Sequence, residues 1–519
     1  MQVDSIVNVT TNSADVYVTF IAPGCDSICL DKGIAYTIDK DLDYYADQTS
    51  SRNWKFNSNT TDLGSNNYLI KLDSLKSYNM YYVYAYYVTG NSNYKSYRSE
   101  EATLKTFDKG LFFSCYGGSN EDTGEFIIET PDSGYIIAGI TNSNDGDISG
   151  YHGYNDICIV KVDGIGDVVW EKTLGGSGDE KLSGMYKGKD GGYVILGQTW
   201  SEDGDVSENH GEEDIWIVKI DEGGTIEWER SYGGSNFDGA ISLIPEEDGG
   251  YIIFARTASD DGDFINNERR MIFYKINNFG EIIWKDNFDM NLTGHLNKVI
   301  RTRDNGYLII GSYKTDDYDD NGILIDGAYI SKIDLNGSFV WEQKIHGEYS
   351  EEAIDVVQLK NGSIVLTGRS LSFMPASNEK TNSSVLAVKL SEDGIIVWEK
   401  QYGDYFESGI SLTQNSFGNV VLCCSLSSPL GNIDNILGGT DIGLLEISND
   451  GNILRSVNFG GTGLDEPYSI IATDFGYGII GKTYSYDFYS SINNHWDNLF
   501  ANSDFLLLSI REDGTLIND

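Results

Sequence analysis

The chain is poor in cysteine, proline and positive charge, and each shortage excludes a class of structure. Six cysteines among 519 residues are too few and too scattered for a disulfide framework or a zinc ligand set. Adjacent strand residues point to opposite faces, so Cys423 and Cys424 are poorly placed to bridge each other. Cys25 and Cys29 either close a small loop or remain buried thiols. Six prolines against 59 glycines are typical of many strands joined by tight glycine turns.

Positive charge is scarce enough to exclude two kinds of partner. There are 36 Lys and Arg against 80 Asp and Glu, which gives a net charge of -44. Nucleic acid and anionic membrane surfaces would both repel such a chain. No apolar run reaches bilayer length, and the opening residues 1–4 lack the basic and apolar segments of a signal peptide. We therefore expect any export signal or lipid anchor to lie outside this sequence.

Catalytic motifs are also lacking. The sequence contains neither G-x-S-x-G nor H-E-x-x-H. The repeated Gly-Gly-Ser is a turn rather than a phosphate-binding loop, because no Lys follows it and no helix begins there. Of the five histidines, His152 and His210 occupy equivalent loop positions, which favours a role in the repeat. No catalytic residue is predicted.

What the chain has in abundance is one repeat of roughly 57 residues, with strand patterns and no helix pattern. A period of this size, with one four-stranded unit per repeat, predicts a β-propeller. One position marks the start of the last strand of each unit, and it is occupied by Phe112, Trp170, Trp228, Trp284, Trp341, Trp398, Arg455 and Asn518. Seven whole periods lie between its first and last occurrence, so the sequence predicts seven blades.

Each repeat divides into strands that we name A to D. In the second blade they lie near 182–186, 193–199, 214–220 and 225–232, and Asp-Gly turns join A to B and C to D. The chain ends as an eighth strand D would begin, whereas 111–116 is a strand D with no A, B or C before it. We therefore predict a propeller over residues 108–519, closed by the 111–116 strand.

Residues 1–107 do not share the repeat. Seven short strand-like runs in about a hundred residues predict an immunoglobulin-like sandwich. The segment Leu75–Tyr81, followed by Tyr82–Tyr86, resembles the fibronectin type III signature, with Tyr81 at the corner position, although Ser77 and Asn79 replace the usual Pro and Thr. The segment 28–37 resembles the variant common in Bacteroidetes surface proteins. The resemblance implies an exported or surface protein in which this module is a spacer.

The tryptophan that begins strand D stands in a D-x-x-G-x-x-x-W context. This context resembles the tryptophan-docking motif of quinoprotein propellers, which usually have eight blades and bind a quinone. A large ring packed between blades explains the tryptophan without a cofactor, and we favour that explanation. Arg455 interrupts the series, so the junction after the sixth blade should pack less tightly.

Acidic residues concentrate in the D–A and B–C loops, which share the usual ligand face of a propeller. At one aligned position of the D–A loop, most repeats have a carboxylate side chain. If strand A is innermost, these side chains form a ring near the mouth of the central channel. These carboxylates either hold a cation or cap neighbouring backbone amides, and we favour capping. They are Asp122, Glu180, Asp238, Glu351, Glu407 and Asp465, with Gly294 in the fourth blade.

The B–C loops contain closely spaced carboxylates around a glycine. Such oxygen-rich loops resemble calcium sites, although no Glu occupies the twelfth position of an EF-hand pattern. Calcium is therefore the one candidate cofactor, and solvated turns are the alternative. The candidate ligands are Asp145, Asp147, Asp203, Asp205, Asp261 and Asp263, and an Asp that begins strand C could reach the loop at Asp156, Asp214, Asp441 and Asp504.

One loop departs from the repeat. The last period is longer, and its surplus lies between Tyr484 and Ser503 in a segment rich in aromatic residues. Aromatic rings at a loop-rich rim either stack on a sugar or protein ligand or fold beneath their own loop. The candidate ligand-binding residues are Tyr484, Tyr486, Phe488, Tyr489 and Trp496, with Trp200 of the second blade as a lesser candidate.

Together these patterns predict a non-enzymatic binding protein at the cell surface or outside the cell. It would recognise a glycan or a protein through the loop face of the propeller. Nucleic acid is not expected as a partner. Any attachment to a membrane would be through a lipid anchor. A role as accessory lipoprotein of an outer-membrane nutrient importer fits this prediction. The alternative is a propeller hydrolase or lyase acting on polysaccharide, although such enzymes tend to lose repeat regularity around a polar cleft.

Overall fold

The computed structural model contains two compact units, Met1–Leu111 and Phe112–Asp519. In the first unit it describes the backbone of nine strands. In the second it describes residues 112–512 except 265–270, 288–293, 319–323, 348–349, 374–380, 404–406, 432, 434–435, 474–475 and 486–502. Cys25 and the corner segment 75–79 lie outside the described residues.

The described residues of the first unit form nine antiparallel strands, where the sequence predicted seven runs. Their order is β1-β2-β6-β5 in one sheet and β4-β3-β7-β8 in the other, where β9 also pairs with β7. The immunoglobulin-like and fibronectin type III-like identification of residues 1–107 stays a prediction. The strands are β1 (Gln2–Val7), β2 (Ala14–Thr19), β3 (Cys29–Thr37), β4 (Lys55–Asn57), β5 (Thr60–Gly64), β6 (Asn67–Leu72), β7 (Met80–Thr89), β8 (Lys95–Arg98) and β9 (Ala102–Lys105).

The second unit is a seven-bladed β-propeller, as the repeat predicted. Each blade is a four-stranded antiparallel sheet. Strands A to D of blades 1 to 3 are β11 (Asp122–Glu129), β12 (Tyr135–Thr141), β13 (Asp156–Val162), β14 (Val168–Leu174); β15 (Glu180–Lys187), β16 (Tyr193–Thr199), β17 (Asp214–Ile220), β18 (Ile226–Tyr232); β19 (Asp238–Pro245), β20 (Tyr251–Thr257), β21 (Met271–Ile276) and β22 (Ile282–Asn287).

The remaining blades follow the same order. Strands A to D of blades 4 to 6 are β23 (Leu296–Arg301), β24 (Tyr307–Tyr318), β25 (Leu324–Ile333), β26 (Phe339–Ile345); β27 (Ser350–Gln358), β28 (Ile364–Phe373), β29 (Thr381–Leu390), β30 (Ile396–Tyr402); β31 (Ser408–Gln414), β32 (Val420–Leu426), β33 (Asp441–Ile447) and β34 (Ile453–Phe459). Blade 7 consists of β35 (Asp465–Ala472), β36 (Gly476–Thr483), β37 (Asp504–Arg511) and, as its fourth strand, β10 (Phe112–Tyr116).

The hydrophobic core lies between neighbouring blades. In blade 2 every residue of strands B and C is buried, whereas the outermost strand is mostly half-buried or exposed. One cluster joins Ile159 of blade 1 to Ile195 and Trp216 of blade 2. Strands B and C are covered on both faces, so their sequences are nearly continuous apolar runs instead of alternating ones.

Two sets of contacts close the ring. Strand β10 pairs antiparallel with β37, with Phe112 opposite Ser509 and Tyr116 opposite Phe505. The Tyr116 hydroxyl donates to the Gly166 carbonyl oxygen of blade 1 at 2.7 Å. Strand A of each blade contacts strand A of the next, including β35 with β11. Strand A is therefore innermost, and no blade of the ring is left without a neighbour.

A β-bulge recurs near the loop-face end of every innermost strand. The A–B register shifts by one residue at the same place in all seven blades. The extra residue is half-buried in each case. Bulges re-aim side chains and are common beside functional sites. The bulged residues are Glu125, Ser183, Ile241, Asn297, Ile354, Ile410 and Tyr468.

The repeated tryptophans join neighbouring blades at the outer strands. Trp228 and Trp398 lie against Gly280 and Gly451 in the C–D turn of the next blade, where an added Cβ would come within 3.2 Å of the indole. Their indole N–H groups donate to backbone oxygens of the same turns at 3.0 and 2.9 Å. Packing thus explains these rings without a cofactor. A cavity of about 20 Å³ lies beside Arg455, and the looser junction expected there stays a prediction.

Candidate functional site

The aligned D–A acids bond to their own loops. Asp122 is fully buried. Its carboxylate accepts hydrogen bonds from the Gly118 amide at 2.8 Å and from the hydroxyls of Thr141 and Ser143 at 2.5 and 2.9 Å. The same pattern of a loop amide and one or two hydroxyls recurs at Glu180, Asp238 and Asp465. These contacts are the capping that the sequence favoured, and the cation ring stays a prediction.

The two remaining acids of the aligned position differ. Glu407 is buried and accepts a hydrogen bond from the Ser428 hydroxyl at 2.5 Å. Neither oxygen of Glu351 accepts a hydrogen bond of good geometry. Burial, together with the charge of Glu399, raises the pKa of Glu351 to about 7, and the Gly347 amide opposes this only partly.

The strand-C acids lie directly behind the D–A loops. Asp156 and Asp214 are fully buried, and each accepts a backbone hydrogen bond from a histidine, at 2.6 and 2.8 Å. His152 and His210 also approach the same carboxylates through Nδ1, so they act within the repeat. Burial raises the pKa of Asp156 to about 6.

The predicted calcium loops connect each blade to the one before it. The first Asp of the loop accepts the amide of the Ser in the preceding Gly-Gly-Ser turn at 2.6 to 2.7 Å, in the pairs Asp145–Ser119, Asp203–Ser177 and Asp261–Ser235. The second Asp accepts the amide of the first glycine of that turn in two blades, at Asp205 and Asp263. The backbone amides of Asp147, Asp205 and Asp263 each donate to the carbonyl oxygen of that first glycine, at 2.8 to 2.9 Å.

These contacts occupy one oxygen of most of the candidate calcium ligands. Within the described part of the chain, no group of three or more His, Cys, Asp or Glu side chains is placed to share a metal ion. Calcium binding by the B–C loops stays a prediction.

Most of the aromatic loop, including Tyr486, Phe488, Tyr489 and Trp496, lies outside the described residues. Tyr484 is described, immediately after β36. It occupies the same repeat position as Trp200, which follows β16, because Thr483 and Thr199 pair with the first residues of their C strands. A lysine lies near each ring, with Lys482 at 5.7 Å from Tyr484 and Lys181 at 5.3 Å from Trp200. The two candidates are thus on one face but on different blades.

A cleft of about 650 Å³ opens on the loop face across blades 5, 6 and 7. The residues around it come from strands A and B and from both ends of the B–C loop of blade 6. They are Arg369, Ser408, Ile410, Ser425, Ser427, Gly439, Thr440, Glu466, Pro467 and Tyr468. This volume is in the range typical of small-molecule sites.

Cross-strand pairs explain why the cleft lies at blade 6. Glu352 is opposite Arg369 in blade 5, and Glu466 is opposite Lys482 in blade 7. Both are ion pairs, at 2.8 and 2.9 Å. The equivalent pair in blade 6 is Ser408 opposite Ser425. Two small side chains between two long charged pairs leave a depression, and one charged member of each pair, Arg369 and Glu466, lines it.

Aromatic and hydroxyl groups complete the lining. Tyr468 is the bulged residue of blade 7, and its ring is half-buried. Lys482 lies 5.8 Å from the centre of that ring. Ser427 and Thr440 add hydroxyls on the blade 6 side, where their oxygens are 3.2 Å apart. The cleft therefore offers an aromatic face, several hydroxyls and no net charge.

Glu125, the bulged residue of blade 1, lies near the same lysine. Burial raises the pKa of Glu125 to about 7, and the charge of Lys482 opposes this only in part. Glu466 is ion-paired with that lysine. Two carboxyl groups in different electrostatic surroundings thus share one cationic neighbour.

The cleft residues were missed from the sequence. Attention to acidic loops and aromatic runs overlooked the residues that face each other across strands A and B. Aligning the paired positions of strands A and B would have indicated the cleft, because blades 5 and 7 have charged residues at these positions and blade 6 has serines.

Comparison with known proteins gives distant structural likenesses. The sequence matches no protein-family model and no curated protein. A mannose phosphorylase from Leishmania mexicana is 13% identical, with 57% of this chain and 93% of that chain covered and a TM-score of 0.29. A variant of the Synechocystis apocarotenoid oxygenase is 10% identical over 88% and 95%, with a TM-score of 0.37. A xylan β-1,4-xylosidase from Bacillus halodurans is 9% identical over 83% and 94%, with a TM-score of 0.28.

None of these likenesses supports a statement about activity. Among the described residues, there is also no helix with the length and hydrophobicity needed to span a bilayer.

Proposed function

We propose that the propeller is a non-enzymatic binding module that holds an uncharged glycan in the cleft of blades 5 to 7. The observation that carries the proposal is the cleft itself, a depression of about 650 Å³ lined by serine and threonine hydroxyls. A sugar unit needs a concave site with several hydrogen-bonding groups at fixed positions. A flat protein interface would not need such a depression, so we favour a glycan over a protein ligand.

The arrangement of charge supports an uncharged ligand. The positive groups Arg369 and Lys482 are each ion-paired with a glutamate. An acidic ligand would have to break one of these pairs and would meet a chain of net charge -44. Hydroxyl groups can accept and donate beside intact ion pairs. The Tyr468 ring adds an apolar face of the kind that stacks on the C–H face of a sugar.

The setting of the module is part of the same proposal. The N-terminal resemblance to fibronectin type III spacers favours a protein that works outside the cell or at its surface. The strongly acidic composition fits exposure to solvent. Glycan capture by such a protein would suit an accessory role beside a nutrient importer.

The test is binding of the full chain to a glycan array, compared with the variants Tyr468→Ala and Ser425→Arg. Tyr468→Ala removes the aromatic face, and Ser425→Arg fills the depression with a long side chain. Each should weaken binding at least about tenfold, because a central aromatic anchor is commonly worth more than 1 kcal/mol.

Phe417→Ala is the matched control, because Phe417 is an exposed aromatic residue in the A–B turn of blade 6, away from the loop face. Its binding should equal that of the unaltered chain. Full binding by Ser425→Arg would exclude the cleft as the glycan site.

A second candidate, polysaccharide hydrolysis, has one observation in its favour. Burial raises the pKa of Glu125 to about 7, so its carboxyl group can hold a proton at neutral pH, while Glu466 is the carboxylate of an ion pair with Lys482. A glycosidase needs one carboxyl group in each state. Glu125 would protonate the leaving oxygen, and Glu466 would take a proton from the attacking water.

Release of reducing ends from bound polysaccharide tests this alternative. A hydrolase should lose turnover in Glu125→Gln while keeping its affinity, and its rate should fall as pH rises through about 7. The binding proposal predicts no turnover at any pH. Turnover that Glu125→Gln abolishes would replace the binding proposal with the enzymatic one.

A further inference from the structure

A second aromatic surface lies on the loop face at the junction of blades 2 and 3. Trp200 and Phe237 are large apolar side chains that are 46% and 49% exposed. Their ring centroids are 6.1 Å apart with an interplanar angle of 52°. No other ring pair among the described residues combines two side chains this exposed.

Backbone hydrogen bonds anchor the main chain at both residues. The Trp200 amide donates to the Asp179 carbonyl at 3.1 Å, and the Phe237 carbonyl accepts from the Ala258 amide at 2.9 Å. Trp200 follows the last residue of β16, and Phe237 precedes the first residue of β19. A rigid aromatic surface binds at a lower entropic cost than one that must be ordered.

Polar groups border the Trp200 ring. Lys181 Nζ lies 5.3 Å from the ring centre and 2.7 Å from Glu213 Oε1. This pair contributes no net charge, as in the cleft. It offers hydrogen-bond donors and an acceptor beside an apolar face, which is the combination that a sugar ring with equatorial hydroxyls requires.

The position of this pair relative to the cleft follows from the order of blades. In a ring of seven, blade 6 is directly across the central axis from the junction of blades 2 and 3. Both features are on the loop face. A single ligand that reached both would therefore have to cross the mouth of the channel.

We propose that Trp200 and Phe237 form a second carbohydrate subsite, so that the loop face binds one extended, uncharged polysaccharide chain across the channel mouth. This inference rests on the proposed function, since the cleft is the first subsite. It adds the class of ligand, a polymer instead of a free sugar or a chain end. Two subsites on one chain raise affinity because the second contact is made at high effective concentration.

The experiment measures affinity of the full chain for neutral β-glucan, galactomannan and amylopectin, each compared with its own disaccharide, with polygalacturonate as the charged comparison. Trp200→Ala should weaken polymer binding at least about tenfold. It should leave disaccharide binding in the cleft unchanged. Tyr468→Ala should weaken both, and polygalacturonate should not bind.

Phe237→Ala is a second variant of the same surface, and Phe417→Ala is the control for loss of an exposed aromatic residue. Thermal melts of all variants should match the unaltered chain, since both rings are half in solvent. If Trp200→Ala and Phe237→Ala keep full polymer affinity while Tyr468→Ala loses it, the second subsite is wrong and the cleft stands. If the unaltered chain binds none of the three neutral polymers, the inference and the proposed function both fail.

Discussion

At the scale of single residues, buried acids make the stability of this propeller depend on pH in an unusual direction. Burial raises the pKa of Asp122 to about 6 and that of Asp504 to about 7, with neighbouring acids adding to the second shift. A carboxyl group whose folded pKa is raised binds its proton more tightly in the folded state. Its contribution to stability is complete below the unfolded pKa and is lost as pH rises through about 7.

Glu351 gives the sharpest test, because neither of its oxygens accepts a hydrogen bond of good geometry. Replacing it in Glu351→Gln removes a charge that forms near pH 7 in a buried place. We expect the variant to be more stable than the unaltered chain at pH 8 by roughly 1–2 kcal/mol and nearly equal at pH 5. Urea unfolding at both pH values measures the difference.

Asp122→Asn is the matched contrast. The Asp122 carboxylate accepts three hydrogen bonds. In the variant, an NH₂ group would replace one of the accepting oxygens and would face the groups that donate to it. This variant should be less stable at both pH values. If Glu351→Gln is destabilising at pH 8, the Glu351 carboxylate has a favourable partner and the argument from burial is wrong.

A second residue-scale prediction comes from the strand-C lysines opposite the tryptophans. In blades 1 to 4 the lysine of strand C bonds to the Asp of the A–B turn, at 2.6 to 3.0 Å, in the pairs Lys161–Asp132, Lys219–Asp190, Lys275–Asp248 and Lys332–Asp304. The pairing lowers the pKa of Asp304 to about 2. In blade 5 the turn position is Asn361, and buried Lys389 bonds to Asn449 of the next blade instead.

Asn361→Asp should restore the missing pair and stabilise the propeller. Burial lowers the pKa of Lys389 because its charged form is poorly solvated there. A carboxylate nearby would stabilise that charged form. We expect an increase of about 1 kcal/mol in the free energy of unfolding, measured by urea titration at pH 7. In the double variant Asn361→Asp with Lys389→Met the gain should disappear, and a gain that survives there would have another origin.

At the scale of elements, strand β10 decides whether the ring is closed. Phe112, Phe113 and Tyr116 are buried in blade 7, and β10 covers the edge of β37. A chain that begins at Gly117 loses more than about 3 kcal/mol of apolar burial and exposes an edge strand. Its melting temperature should fall by many degrees, and light scattering should detect aggregation.

A chain that begins at residue 108 is the control, because it lacks most of the first unit but keeps β10. It should melt like the propeller transition of the full chain. Equal melting of the two shortened chains would contradict closure by β10.

At the scale of the whole molecule, the charge of -44 sets the response to salt. Screening of repulsion among acids should raise the melting temperature as sodium chloride increases, with most of the change at low ionic strength, where the Debye length is long. Calcium in the B–C loops would add to this at equal ionic strength. Calorimetric melts in sodium, magnesium and calcium chloride separate the effects.

Asp203→Asn and Asp261→Asn should lose any increment that calcium alone produces. A response that is the same for magnesium and calcium at matched ionic strength would leave the loops as blade connections, with carboxylates bonded to the Ser177 and Ser235 amides.

Much of the architecture was determined by the sequence alone. The repeat of roughly 57 residues predicted seven blades, and the strand boundaries of blade 2 agree with the structure within about two residues. Periodicity is informative here because each blade must bury its strands B and C on both faces. This requirement gives every repeat the same apolar runs. Asp and Gly mark the turns because few other residues tolerate that backbone.

Only the tertiary structure decided which side chains form a site. The cleft depends on Ser408 and Ser425 facing each other between ion pairs of the neighbouring blades, and such pairs are distant in sequence. The Trp200–Phe237 pair joins residues of two blades for the same reason. Likewise, the sequence allowed the aligned loop acids either to hold a cation or to cap backbone amides, and the folded chain shows the amides and hydroxyls to which they bond. Composition records how many groups there are, whereas burial and register determine what each one touches.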